Sequence, residues 1–156
     1  MRRIVATVFF TLLALAVMGT LALATWNPAA LEPPSRLETA AATRAKRWMV
    51  ARHARNIRVP APTSQSTKMG EMQFAARCQV CHGIGGRTPT DLGRGMNPQA
   101  TDLGSAEVQR YSDAEFFWII RNGIRLSGMP GFGKMLSDEE IWPLVHYVRS
   151  LNDKNE

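Results

Sequence analysis

The longest charge-free apolar run in the chain is residues 4–24, broken only by Thr7, Thr11, Thr20 and Gly19. Wound as a helix, 21 residues span about 31 Å, close to the roughly 30 Å of a bilayer's hydrocarbon core. Arg2 and Arg3 precede the run and Trp26 follows it, the arrangement of an inside-positive flank and an interfacial aromatic. The pattern therefore predicts one transmembrane helix within residues 1–24. Ala22-Leu23-Ala24 also has the small-x-small form of a cleavage site, so a removed signal peptide is the second reading. The length favours a retained anchor, because the apolar core of a signal peptide is usually about 7–15 residues. On either reading the remainder is exported.

The pattern then changes. Residues 25–35 contain three prolines and exclude a regular helix. Residues 36–58 hold neither Pro nor Gly and are rich in Ala and Arg, which predicts a helix. On a helical wheel Arg44, Arg47, Arg55 and Arg58 share one arc. Ala45, Met49, Val50, Ala54 and Ile57 lie opposite, with Lys46 and His53 intruding. Two readings stand: a solvated basic spacer, or a surface helix that touches anionic lipid or an acidic partner. Pro and Ser return in residues 59–68 and mark a boundary. The expected organisation is thus 1–24 anchor or signal peptide, 25–68 Pro-rich, basic, partly helical linker, and 69–156 folded domain.

Within 69–156 three helical patterns appear. The first covers about 69–80, with Met72, Phe74 and Ala75 as apolar contacts. The second opens on an S-x-x-E capping box, Ser112 with Glu115, and stops at Gly123. The third opens on Ser137 with Glu140 and carries Ile141, Leu144, Val145, Val148 and Leu151 as its apolar stripe. His146 falls off that stripe and is expected to face solvent. Pro143 lies past the first turn, where a bend or a local start is expected. Ten of the twelve glycines lie between 83 and 133, so the middle of this all-α domain is loop.

Charge alters the picture in one respect. The chain is +6 overall, but residues 1–68 hold ten Lys and Arg against two Glu, and residues 69–156 hold nine against eleven acids. The basicity belongs to the N-terminal part, so overall charge does not indicate nucleic-acid binding. With two cysteines, a disulfide-dense scaffold and a four-Cys zinc or iron–sulfur site are excluded.

Those two cysteines stand in Cys78-Gln79-Val80-Cys81-His82. In C-x-x-C-H the thiols add to the two vinyl groups of a haem, and the adjacent histidine sits under the iron as an axial ligand. A thioredoxin-like redox pair needs a preceding strand and a parallel sheet, which the pattern lacks. A half zinc site needs a second ligand pair, which does not follow. Covalent haem c, attached through Cys78 and Cys81 and ligated by His82, is the expectation. Candidates for the second axial ligand are Met96, Met129, Met135, His53 and His146. Met129 is best placed, in the non-helical stretch Gly128-Met129-Pro130-Gly131, where Gly and Pro can hold a thioether at a fixed angle. A domain of 88 residues with so much loop buries little apolar surface alone, so the haem is expected to complete its core.

With these motifs, residues 69–152 resemble a small bacterial class I cytochrome c with one haem. The matching positions are Gly70 and Phe74, Cys78, Cys81, His82 and Gly83, Gly123, Met129-Pro130, and Leu136-Ser137-Asp138-Glu139-Glu140-Ile141-Trp142 with Tyr147-Val148. The resemblance implies a first and last helix crossing near Gly70 and Tyr147. It also implies a loop carbonyl near Pro89 or Pro98 that holds the His82 ring. Pro143 and segment 36–58 depart from the family pattern. The function implied is one-electron transfer by a non-catalytic protein, with His/Met ligation and a raised potential. Redox proteins in or at the membrane are the expected donor and acceptor in a respiratory chain, with the bilayer met through residues 4–24 and the haem domain on the periplasmic side of a bacterial inner membrane. Arg87, Arg94, Arg121 and Arg125 are candidate contacts for a partner or a haem propionate. Two other classes stay open: a fixed haem subunit of a larger membrane dehydrogenase or terminal oxidase, and an enzyme or sensor with an open iron site.

Overall fold

The structure is a computed structural model that describes residues 1–25, 27, 29 and 31–152; Trp26, expected at the interface, lies outside them. Among the described residues all regular structure is helical. The chain divides into two units, Met1–Glu32 and Pro33–Glu156.

The first unit is built on α1 (Arg2–Thr25), which has a mean hydropathy of 2.4 over its most apolar stretch and no buried residue. It is long and apolar enough to cross a membrane. Its hydroxyls are satisfied within the helix: Thr7 donates to the Arg3 carbonyl, Thr11 to Thr7, Thr20 to Ala16 and Thr25 to Leu21, at 2.9–3.0 Å. An apolar solvent would find no open donor on these side chains.

The second unit contains α2 (Arg36–Ala54), α3 (Ser64–Arg77), α4 (Gln79–His82), α5 (Asp91–Arg94), α6 (Asp113–Asn122) and α7 (Asp138–Ser150). The sequence signals set most of the ends. Both predicted capping boxes are present, Ser112 with Glu115 and Ser137 with Glu140, and Gly123 ends α6 at φ 70°. α3 starts at Ser64, earlier than the expected 69, because the Thr63 hydroxyl caps it by accepting from the Ser66 amide. α7, capped by Ser137, runs from Asp138 through Pro143 to Ser150, so Pro143 does not restart the helix.

The core forms where α3 and α7 cross. Gly70 makes that crossing: a Cβ there would overlap the Pro143 carbonyl oxygen and sit 2.9 Å from Tyr147 Cβ. Phe74, one turn on, is 2% exposed and packs on the Tyr147 ring at 5.1 Å. Ile141, Leu144, Val145 and Val148 face inward as their spacing predicts. His146 does not face solvent as expected: it is 6% exposed, shares a hydrogen bond through Nδ1 with the Ser66 hydroxyl, and stacks on Trp142. The apolar stripe marks one side of α7, whereas the helix is covered on a second side by α3, and Ser66 is the polar partner that permits it.

α6 packs on α7 and presents its other side to α2. Arg149 ties this layer together. It pairs with Asp113 at 2.7 Å, donates to the carbonyls of Gln109 (2.9 Å) and Tyr111, and lies over the Phe116 ring. α2 lies within the segment 25–68 expected as a partly helical linker. Its Val50 and Ala54 are buried at 2% and 4%, Arg47 donates to the Glu107 carbonyl at 2.7 Å, and His53 stacks on Trp118 at 5.3 Å. Arg47 thus leaves the shared basic arc of the wheel for the protein surface, because the Tyr111 ring and the Glu107 carbonyl lie beneath it.

Candidate functional site

The haem motif lies on one turn of chain at the end of α3. The Cys78 amide still donates to the Phe74 carbonyl at 2.8 Å, and the Cys81 and His82 amides both donate to the Cys78 carbonyl. Cys78 therefore joins α3 to α4, and a helical turn places both thiols and the imidazole together. Both cysteines are free and half-buried. Burial pushes the Cys78 thiol up to about 11, against the opposing charge of Arg77. Burial also holds His82 below its ordinary 6.5, against its hydrogen bond to the Thr101 carbonyl. The shift favours the neutral imidazole, the form that ligates a metal.

Two glycines let the following loop close on this turn. A Cβ at Gly93 would collide with the Cys81 carbonyl, and one at Gly83, at φ 76°, with that of Thr88. Thr90 fastens the loop by donating its hydroxyl to the Val80 carbonyl at 2.7 Å and its amide to Cys81 at 3.1 Å. Further on, His82 Nδ1 donates to the Thr101 carbonyl at 3.1 Å. That carbonyl, three residues after Pro98 and so in the expected neighbourhood, fixes the ring and leaves Nε2 as the nitrogen available as a ligand. No sequence signal marks Thr101, since its part is played by backbone.

Met129 sits in the loop after α6, partly buried against the core. Its amide donates to the Ser127 hydroxyl and its carbonyl accepts from the Ile124 amide, both at 3.2 Å. Gly123 turns the chain so tightly that a Cβ there would lie 2.7 Å from the Met129 carbonyl oxygen. Met96 packs against Gly128, whose absent Cβ would meet the Met96 sulfur. One loop thus touches both sides of the site: Thr101 holds His82, and Met96 abuts the neighbour of Met129. The remaining candidates stand elsewhere. His53 is on α2, stacked on Trp118, His146 is bonded to Ser66, and Met135 is exposed before α7. Of the four arginines, Arg121 pairs with Asp138 at 2.8 Å and Arg94 with Asp91.

The donor set fits a covalent haem: two unpaired thiols and a neutral imidazole within one turn, the imidazole held by its far nitrogen, and a thioether on a braced loop. It does not fit a redox dithiol on a sheet, as no strand occurs among the described residues.

Comparison with known proteins agrees. Residues 65–148 match the family model of cytochrome c oxidase, cbb3-type, subunit III. Among solved structures, a chain of the Kuenenia stuttgartiensis reducing HAO-like protein complex is 26% identical, with a TM-score of 0.54, over 60% of this chain. The match spans 46% of that chain, less than half its length. A c-type cytochrome, KustC0563, is 33% identical over 53% of this chain and 96% of its own, with a TM-score of 0.47. No curated protein matches the sequence. With the family model covering more than half of its length, the chain belongs to the cbb3-type cytochrome c oxidase subunit III family, and it is a bacterial class I cytochrome c that carries covalent haem c and transfers electrons through it.

Proposed function

We propose that Cys78 and Cys81 carry the two thioether links of the haem, that His82 and Met129 are its axial ligands, and that the protein relays single electrons between redox partners in or at a bacterial inner membrane. When bound, the haem supplies a one-electron Fe(III)/Fe(II) couple. The chain's own residues hold and shield it. The Thr101 carbonyl orients the imidazole and raises its basicity. Ser127 and Gly123 brace the loop that carries the Met129 thioether. With His82 and Met129 both bound to it, the metal would be kept from small molecules, which suits relay rather than catalysis. The observation that carries this reading is the helical turn of two thiols and a neutral, carbonyl-held imidazole.

α1 supports a single-pass anchor with the second unit on the periplasmic side; removal as a signal peptide would leave the same unit soluble there. Optical spectra and redox titration of the holo-protein test the ligand assignment. Met129→Ala is expected to abolish the weak far-red band of methionine–iron(III) ligation and lower the potential. Met96→Leu is expected to leave that band in place. An unchanged spectrum and potential in Met129→Ala would overturn the assignment and favour an open iron site.

A second reading has its own support. The matched family is described as an oxidase subunit, so the chain also suits a fixed haem subunit of a larger membrane complex. Purification in mild detergent separates the two, since only a fixed subunit brings a stoichiometric partner.

A further inference from the structure

The two sides of α2 have different fates. The inner side is committed to the domain through Val50, Ala54, Arg47 and His53. At 100° per residue, the opposite side carries Leu37, Arg44, Ala45, Trp48 and Arg52, and all five are exposed. Leu37 is 82% and Trp48 64% exposed, and the Arg52 guanidinium lies over the Trp48 ring at 5.7 Å. The helix has a single acid, Glu38, confined to its first turn. Among the described residues this arginine-flanked tryptophan meets nothing outside α2, and the one acid near its face is Glu38, in the first turn, at the edge beside Ala45.

We infer that this outer face of α2 rests on the anionic headgroups of the bilayer that the chain's own anchor enters. The inference builds on the reading of α1 as a retained anchor. Ten residues, 26–35, separate the end of α1 from the start of α2. Fully extended they reach at most about 36 Å, so the start of α2 never leaves the neighbourhood of the membrane surface. Size argues against a protein partner. A 19-residue helix is about 28 Å long, and a strip about 10 Å wide along it covers about 300 Å². A specific protein interface takes about 800 Å² per partner. A charged plane sets no such minimum, and the chemistry matches it. Tryptophan settles at headgroup depth, guanidinium groups bind phosphate through paired hydrogen bonds, and Leu37 and Ala45 are small enough apolar groups to enter the interface. The contact fixes how the haem unit is held over the membrane instead of leaving it to swing on its tether.

The test uses full-length holo-protein in nanodiscs of phosphatidylcholine, with or without phosphatidylglycerol. Nitroxide labels are placed at Ala45→Cys on the outer face and Glu139→Cys on α7, and relaxation by oxygen is compared with that by an aqueous nickel chelate. The label at 45 is expected at headgroup depth in anionic discs, and in water in neutral discs or at high salt; the label at 139 is expected in water throughout. Replacing Arg44 and Arg52 with Gln should lower the bound-to-free ratio about fivefold per arginine, and about twenty-five-fold for the pair. A label at 45 that stays aqueous while the protein remains in anionic discs overturns the inference and spares the anchor. Equal shielding in neutral and anionic discs marks protein contact and overturns it as well. A protein that elutes apart from the discs in high salt overturns the anchor, and the inference with it.

Discussion

Two helix contacts in the second unit are built in opposite ways. Where α3 meets α7, a side chain is removed: Gly70 lets backbone approach backbone, and Phe74 and Tyr147 seal the flank. Where α2 meets α6, side chains are added: Val50 and Ala54 fill, His53 stacks, and Arg47 reaches a carbonyl. The first contact tolerates almost no change because carbonyl oxygens cannot move aside. The second can be taken apart in steps. The haem turn hangs from the first contact, since Cys78 follows directly on α3. The free face of α2 hangs from the second.

The largest expected effect breaks the first contact. Gly70→Ala should cost at least about 3 kcal/mol and prevent stable holo-protein, because the new methyl lies inside the Pro143 carbonyl. Yield of haem-stained protein and thermal unfolding report it. Next comes the residue that joins the two layers. Arg149→Met removes the Asp113 pair and two carbonyl bonds in a partly buried setting, an expected loss of about 2–3 kcal/mol. Urea unfolding measures it, and restored stability in Arg149→Lys would show that charge alone matters. Val50→Ala should cost about 2 kcal/mol and speed tryptic cleavage within α2, while the haem spectrum stays as in the wild type. A spectral change there would mean that the two contacts are not separable. Ser137→Ala removes one hydroxyl cap of α7, at about 1 kcal/mol. The smallest effect is alkaline. Burial raises Tyr147 at the first contact and Tyr111 at the second above the ordinary 10. The folded state therefore favours the neutral phenols; their contribution is intact below pH 10 and is lost as pH rises beyond it. Tyr147→Phe and Tyr111→Phe should each flatten that alkaline loss in a pH series of unfolding curves.

The features legible in the sequence are the local ones. Ser112 with Glu115 and Ser137 with Glu140 mark helix starts because the capping bonds span three residues. The motif from Cys78 to His82 is legible for the same reason: its spacing is the geometry of one turn. Gly70 became meaningful only through the family resemblance, since nothing near it in sequence reveals Pro143. His146, Arg47 and Thr101 show where local reading stops. A helical wheel ranks positions on one helix, but His146 is claimed by Ser66, 80 residues away, and Arg47 by Glu107, 60 residues away. Thr101 contributes a carbonyl, which every residue possesses, so only the course of the loop singles it out. Met96 was visible as a methionine, but its place against Gly128 depends on two loops meeting.

The crossing at Gly70 also dictates a timetable. Its partners, Pro143 and Tyr147, lie more than 70 residues later, so the crossing cannot close until α7 has been made. Cys78 and Cys81 emerge well before that moment, on a segment still without its covering helix. On the proposed attachment through these two thiols, the haem is joined to an open segment, which the arrival of α7 then covers.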